Sequence, residues 1–165
     1  MKTNASPVFR GFLSTAFLLA LLFISYSAPA QISIHAMNAP EAQSHATAAQ
    51  ALMYGDQPQL SLMNGAPQAQ GNFSVLTVSA SQHAGQLAGL SINHDQVQLI
   101  QMRLAATDNV AGITIDAASI LPFTGLQYIV LSGYQALTQA QVQQMVQSLP
   151  ATSNLVILYQ QLKDN

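Results

Sequence analysis

The sequence predicts a small α/β domain over residues 72–165, with a mostly parallel sheet and the element order β-α-β-β-α-β. Val, Ile, Leu and Phe occupy thirty of these 94 residues, but only five of the 41 residues from 31 to 71. Short apolar runs alternate with segments of helical period, which is the pattern of strands joined by helical crossovers. We therefore place the core in residues 72–165 as a single domain.

Residues 1–30 have the pattern of a signal peptide. Lys2 and Arg10 are basic, residues 12–24 are apolar, and a run of small residues ends at Ala30. Signal peptidase recognises a basic start, an apolar block and a small-residue site in this order. The apolar block is shorter than the roughly 20 residues that span a bilayer. We expect cleavage near Ala30-Gln31 and a periplasmic or secreted protein, with an uncleaved membrane anchor as the alternative.

Residues 31–71 are rich in alanine and glutamine, which fill sixteen of the 41 positions. So few large apolar side chains offset little of the entropy lost on ordering a segment. We predict a flexible, low-complexity arm or linker here. Within this arm we predict at most one short helix, from Glu41 to Met53. Ala46 and Ala49 would lie on one face of it, and Gly55 would end it.

The domain begins with a predicted strand over Phe73–Val78, which is rich in β-branched and apolar residues. A loop follows, and then a predicted helix from His94 to Ala106. Asn93 is its expected N-cap, and apolar residues three and seven positions after Val97 fall on one face.

Three more strands and a second helix complete the prediction. The strands are Ile113–Ile115, Tyr128–Leu131 and Leu155–Tyr159, of which the last is an unbroken apolar run typical of a strand covered on both faces. The helix begins at Thr138, where Thr138-Gln-Ala-Gln141 is a capping box, and stops before Pro150.

A leucine pattern links the last two of these strands. The run Leu126-Gln-Tyr-Ile129-Val-Leu131 is followed by the predicted helix and, 29 residues after Leu126, by Leu155-x-x-Leu158. Residues 110–160 in this respect resemble leucine-rich repeats of the ribonuclease-inhibitor type. The resemblance implies a sheet face that binds protein, whose outward side chains would be Thr77, Thr114, Tyr128, Val130 and Tyr159. The alternative is that these five side chains belong to the core or face a second layer.

Charge and cysteine content exclude several function classes. All six acidic residues but only two basic residues lie after position 30, which gives residues 31–165 a net charge of −4. Nucleic-acid binding depends on clustered Lys and Arg, so we expect no nucleic-acid partner. Because the chain has no cysteine, disulfides, thiolate metal sites and thiol nucleophiles are impossible. Glutamine supplies 21 of residues 31–165 and makes the predicted surface neutral.

Motifs that carry chemistry are missing from the sequence, which has no nucleophile elbow, P-loop, dinucleotide fingerprint or H-E-x-x-H motif. We assign no catalytic, cofactor-binding or metal-ligating residue and expect no cofactor. The candidate polar cluster is His83, His94, Asp95 and Asp116. Asp95 also suits the positive end of a helix dipole, and Asp116 suits either a strand-end site or the cap of a turn with Ser119.

The leading functional expectation is a non-catalytic, exported module that binds a protein or surface partner. One alternative is a small exported hydrolase or metal-dependent enzyme that uses His83, His94 and Asp95. A second is a self-assembling structural protein of the cell envelope, because uncharged arms and open strand edges favour self-association. Contact with a membrane is expected only during export or through an uncleaved leader.

Overall fold

The protein forms one six-stranded sheet in a computed structural model that describes residues 32–63, 71–150 and 154–162. The strands are β1 (Ser33–Ala36), β2 (Gln59–Leu62), β3 (Val75–Ser79), β4 (Leu99–Leu104), β5 (Tyr128–Gly133) and β6 (Val156–Gln161). The four α-helices in the described ranges are α1 (Gln43–Tyr54), α2 (Ala80–His83), α3 (Ala117–Ile120) and α4 (Gln139–Met145). The α/β class predicted from the sequence is confirmed.

The strand order is β1-β6-β5-β4-β3-β2, and every pair of neighbours is parallel. The chain therefore leaves β1 at one edge, crosses the whole sheet to β2 at the other edge, and returns one strand at a time. Crossovers between parallel strands are almost always right-handed, so connections that run in opposite directions lie on opposite faces. The single outward crossover carries α1, and the return crossovers carry α2, α3 and α4.

Helix α1 covers one face of the sheet, which we call the α1 face. Its buried residues are Ala46, Ala49 and Met53, spaced at three and four positions so that they share one side of the helix. They belong to one buried cluster with residues from four strands: Val75, Leu99, Val130, Val156 and Leu158. The small alanine side chains let the helix lie close to the sheet.

The opposite face is covered by the return crossovers. Leu76, Ile100, Ile129 and Ile157 form a fully buried row across β3 to β6 at one register level. Apolar residues of the crossovers pack on this row and on the neighbouring row of the same face. They include Leu87, Ile115, Val142 and Met145. The four central strands thus have apolar side chains on both faces, as expected of a covered parallel sheet.

A buried polar row interrupts the α1 face. Thr77 Oγ1 donates to Gln101 Oε1, and Gln101 Nε2 donates to Ser132 Oγ, each at 3.3 Å. All three residues are buried, so the bonds satisfy groups that water does not reach. They connect β3, β4 and β5 through side chains as well as through the backbone.

Several predicted elements agree with the structure. The strands β3, β5 and β6 lie where the apolar runs place them, and α4 begins with the predicted capping box. Gln141 N–H donates to Thr138 Oγ1 at 3.3 Å, while Thr138 N–H donates to Gln141 Oε1 at 2.9 Å. Helix α1 carries the predicted Ala46 and Ala49 stripe and ends at Gly55, where a Cβ would collide with the Ala51 carbonyl oxygen.

The helix predicted from His94 to Ala106 is wrong. The structure has a single 3-10 turn at His94–Gln96, followed by the central strand β4. Val97, Ile100 and Leu104 match a helical spacing by chance, since Val97 lies before the strand. Within β4, Ile100-Gln101-Met102-Arg103-Leu104 alternates apolar and polar residues, which is the period of a strand.

The strand predicted at Ile113–Ile115 is absent from the sheet. This extended segment runs over the opposite face, where Ile115 N–H donates to Met145 O at 2.7 Å and Ile115 O accepts from Ser148 Oγ at 2.9 Å. The domain order is therefore not the predicted β-α-β-β-α-β.

Residues 32–63 differ from the flexible arm predicted for residues 31–71, because they supply both edge strands and α1. β1 pairs with β6 and β2 pairs with β3, so residues 32–63 belong to the same sheet as the later strands. The segment lacks large apolar residues because its strands lie at the edges and its helix buries alanine. Residues 64–70 lie outside the described residues.

The predicted leader, residues 1–30, also lies outside the described residues. Among the helices that the structure describes, none is long and apolar enough to cross a membrane.

We predict that Ala49→Leu lowers the free energy of unfolding by about 1–3 kcal/mol, because Ala49 is fully buried between α1 and the sheet. Ala51→Leu on the exposed side of α1 is the control and should change it by less than about 0.5 kcal/mol. Urea denaturation of the two variants measures the difference. Equal effects would show that α1 does not pack on the sheet.

Candidate functional site

Several cavities lie among the return crossovers on the opposite face, and two of them are candidate sites. The first, the His83 cavity, has a volume of about 560 Å³ and lies between the loop that follows α2 and helix α3. The second, the Leu121 groove, has a volume of about 640 Å³ and extends from α3 to the turn after α4. They differ in chemistry, since the first contains ionisable side chains and the second contains none.

His83 is the most buried ionisable side chain of the first cavity. It ends α2, directly after β3, and is 8% exposed. Its Nδ1 atom is buried and has no hydrogen-bond partner. Buried polar atoms are nearly always paired, and leaving one unpaired costs about 1–3 kcal/mol. The fold therefore keeps a buried imidazole that it does not use for its own hydrogen bonding.

Asp116 lies across the same cavity at the N-cap of α3. An aspartate at an N-cap normally accepts a hydrogen bond from a main-chain N–H of the first turn. The Asp116 carboxylate makes no such bond, and Ser119 N–H donates instead to the Asp116 main-chain oxygen at 3.0 Å. The alternative that Asp116 caps its turn through its side chain is therefore not what the structure contains.

Ser119 completes the polar lining of the His83 cavity. The residue is 3% exposed, and no side-chain hydrogen bond joins it to any other residue in the described ranges. Sequence reasoning had named Ser119 only as a cap partner of Asp116. The structure adds it to the wall of the cavity, because one turn of α3 brings positions 116 and 119 to the same side.

The other two residues of the predicted polar cluster lie elsewhere. His94 packs its ring edge-on against Phe123, with 4.7 Å between ring centroids, and its Nε2 is buried without a partner. Asp95 accepts a hydrogen bond from Thr124 Oγ1 at 2.9 Å. Neither residue lines the His83 cavity. The structure thus brings His83 and Asp116 to one cavity and places His94 and Asp95 outside it.

No metal centre is formed by the residues that the structure describes, since no three His, Asp or Glu side chains are grouped to hold an ion. The metal-dependent form of the hypothesis built on His83, His94 and Asp95 requires such a grouping.

The five residues of the predicted binding face do not share one exposed surface. Thr77 and Val130 are buried on the α1 face, and Tyr128, also on that face, is half-buried beside His45. Tyr159 lies on the opposite face and packs on the core there. Thr114 is exposed, but it belongs to a crossover and not to the sheet.

The Leu121 groove was not indicated by the sequence. Its wall includes the apolar residues Ile120, Leu121, Phe123, Leu126, Leu149 and Leu155, and none of the described residues that line it carries a charge. Leu121 stands at this groove with 81% of its surface exposed. The signal available in the sequence was the apolar run Ile120-Leu121 before Pro122, which leaves a large side chain on a short turn.

Comparison with known proteins gives no relative: no family model matches the chain, and no curated protein or solved structure is similar enough to it to be counted as a match. The resemblance of residues 110–160 to leucine-rich repeats stays a prediction.

We predict that His83→Leu leaves the free energy of unfolding unchanged or raises it by up to about 1 kcal/mol, because the substitution removes an unpaired buried nitrogen. Leu87→Ala, a fully buried position in the same crossover, should lower it by about 2–5 kcal/mol and shows that the region is packed. Thermal and urea unfolding of both variants provide the measurement. A loss above about 1 kcal/mol for His83→Leu would mean that the imidazole is structural.

Proposed function

We propose that this protein is an exported, non-catalytic interaction module, and that the Leu121 groove receives an uncharged apolar segment of a protein partner. The observation that carries the proposal is the exposure of Leu121 beside a groove without charged residues. An exposed apolar group next to an apolar concavity is typical of a binding surface.

The chemistry of the groove supports a segment of this kind. Its apolar walls favour the burial of aliphatic or aromatic side chains, with about 25 cal/mol gained for each Å² of apolar surface removed from water. Thr124, Gln127 and Asn154 border the same groove and offer hydrogen bonds to a peptide backbone. A charged segment would lose its hydration there, and none of the described residues that line the groove carries an opposite charge.

The proposal is tested with Nile red, a neutral apolar probe whose fluorescence rises on binding, added to the full chain. Leu121→Glu should weaken probe binding about tenfold, because it places a carboxylate at the groove and removes a leucine contact. Tyr54→Glu is the matched control: Tyr54 is 76% exposed at the end of α1 and should leave binding unchanged.

A photocrosslinking residue at position 121, compared with one at position 54, then shows whether a protein segment occupies the groove in the native compartment. The proposal requires a discrete adduct from position 121 that Leu126→Glu abolishes, with none from position 54. Equal probe binding by both glutamate variants would contradict it.

Self-assembly is a second candidate function, favoured by the two open edges of the sheet. The edge strands β1 and β2 have the sequences SIHA and QLSL, without a Lys, Arg, Asp, Glu or Pro that would oppose pairing with another chain. Both edges belong to the same parallel sheet, so the β2 edge of one copy can pair with the β1 edge of the next.

We expect Ser33→Lys combined with Ser61→Lys to abolish any assembly, since both serines are exposed on these edges. Sedimentation velocity over a range of concentrations measures the change. The charge-matched control carries lysine at Ser44 and Gln50, two exposed positions of α1. Its sedimentation coefficient should equal that of the unmodified chain. A monomer at every concentration before substitution would exclude this function.

A further inference from the structure

The His83 cavity contains one buried polar atom that the described part of the fold leaves unpaired, the Nδ1 of His83. Two further polar side chains line the same cavity without a side-chain hydrogen bond in the described ranges: the Asp116 carboxylate, which is exposed to water, and the hydroxyl of the buried Ser119. A ligand in this cavity of about 560 Å³ would supply the partner that His83 lacks and would lie within reach of the other two groups.

The donor and acceptor pattern narrows the class of ligand. The carboxylate of Asp116 only accepts hydrogen bonds, whereas the hydroxyl of Ser119 and the side-chain amide of Gln86 both donate and accept. A neutral imidazole at His83 offers one donor and one acceptor nitrogen. A ligand with several hydroxyl groups satisfies all of them, because each hydroxyl can donate to one wall and accept from the other.

Charge excludes the competing classes. Asp116 is the only charged residue among the described residues that line the cavity, so an anionic ligand would meet a carboxylate and none of the described cations. A tightly held metal ion needs three or four protein ligands, and the described ranges contain no such group. The apolar lining residues Ala88 and Leu90 suit the C–H surface of a ring or a short carbon chain.

Access for the ligand comes from the loop after α2. Added Cβ atoms at Gly85 and Gly89 would meet no atom within 4 Å, so both glycines face open space at the cavity wall. Their backbone groups can therefore approach a ligand closely.

We propose that the His83 cavity binds a small neutral polyhydroxylated ligand of the sugar or sugar-alcohol class, held by hydrogen bonds to His83, Asp116 and Ser119. This is a second site, separate from the Leu121 groove, and it does not depend on the function proposed for that groove. The same hydroxyl pattern occurs on free sugars and on the exposed units of polysaccharides.

The test is an NMR titration of the full chain with glucose, mannose, galactose, N-acetylglucosamine and mannitol, each followed at the His83 ring and at the amides of Asp116 and Ser119. At least one of these probes should give saturable shifts confined to the cavity, with a Kd in the millimolar range or tighter. Soluble oligomers of the responding sugar form a second arm. Tighter binding of the oligomer would identify a polysaccharide as the source, and tighter binding of the monomer a free sugar.

Asp116→Asn and Ser119→Ala should each raise the Kd about tenfold, as expected for the loss of one hydrogen bond to a buried ligand. Asp56→Asn is the control for loss of a carboxylate, since Asp56 is exposed in the turn after α1, and should leave the Kd unchanged. Leu121→Glu should also leave it unchanged, which separates this site from the groove.

Two outcomes would overturn the proposal. The first is the absence of saturable shifts with all five probes and with mixed soluble oligosaccharides. The second is a chemical-shift change of His83 and Asp116 caused by Zn²⁺ alone, at a lower concentration than any sugar requires. That result would assign the cavity to a metal.

Discussion

The parallel pairing of β1 with β6 is the interaction on which the rest of this fold depends. It requires the first described strand to lie next to the last one, from Ser33 beside Val156 to Ala36 beside Tyr159. The chain must then cross the whole sheet once and return strand by strand. That route puts α1 on one face and the other described α-helices on the opposite face, where stacked crossovers leave cavities between them.

Sequence patterning predicted the interior of this arrangement better than its edges. β5 and β6 were found because they are apolar runs bounded by turns, and α4 because Thr138 and Gln141 form a capping box. β4 was missed although residues 100–104 alternate between apolar and polar, because Val97, Ile100 and Leu104 also fit the spacing of one helix face. β1 and β2 were missed, and α1 was predicted only as a short helix within a flexible arm, because edge strands and a helix packed through alanine need few large side chains.

The candidate site was predicted in part. His83 and Asp116 stood out as the rare ionisable residues of a nearly uncharged chain, but the sequence grouped them with His94 and Asp95, which lie outside the cavity. Proximity along the chain could not show which crossovers are stacked on each other. Ser119 lines the His83 cavity and Leu121 stands at the groove because of α3. This helix has only four residues and shows no detectable sequence period, so neither position was predicted.

The position of β6 between β1 and β5 also governs the order in which the fold can form. During synthesis β1 leaves the ribosome before the other described strands, and its hydrogen-bonding partner is not present until residue 156 has followed. Closing so long a loop is slow, and contacts of high sequence separation delay folding. β1 therefore remains unpaired until β6, the last described strand, is available to pair with it.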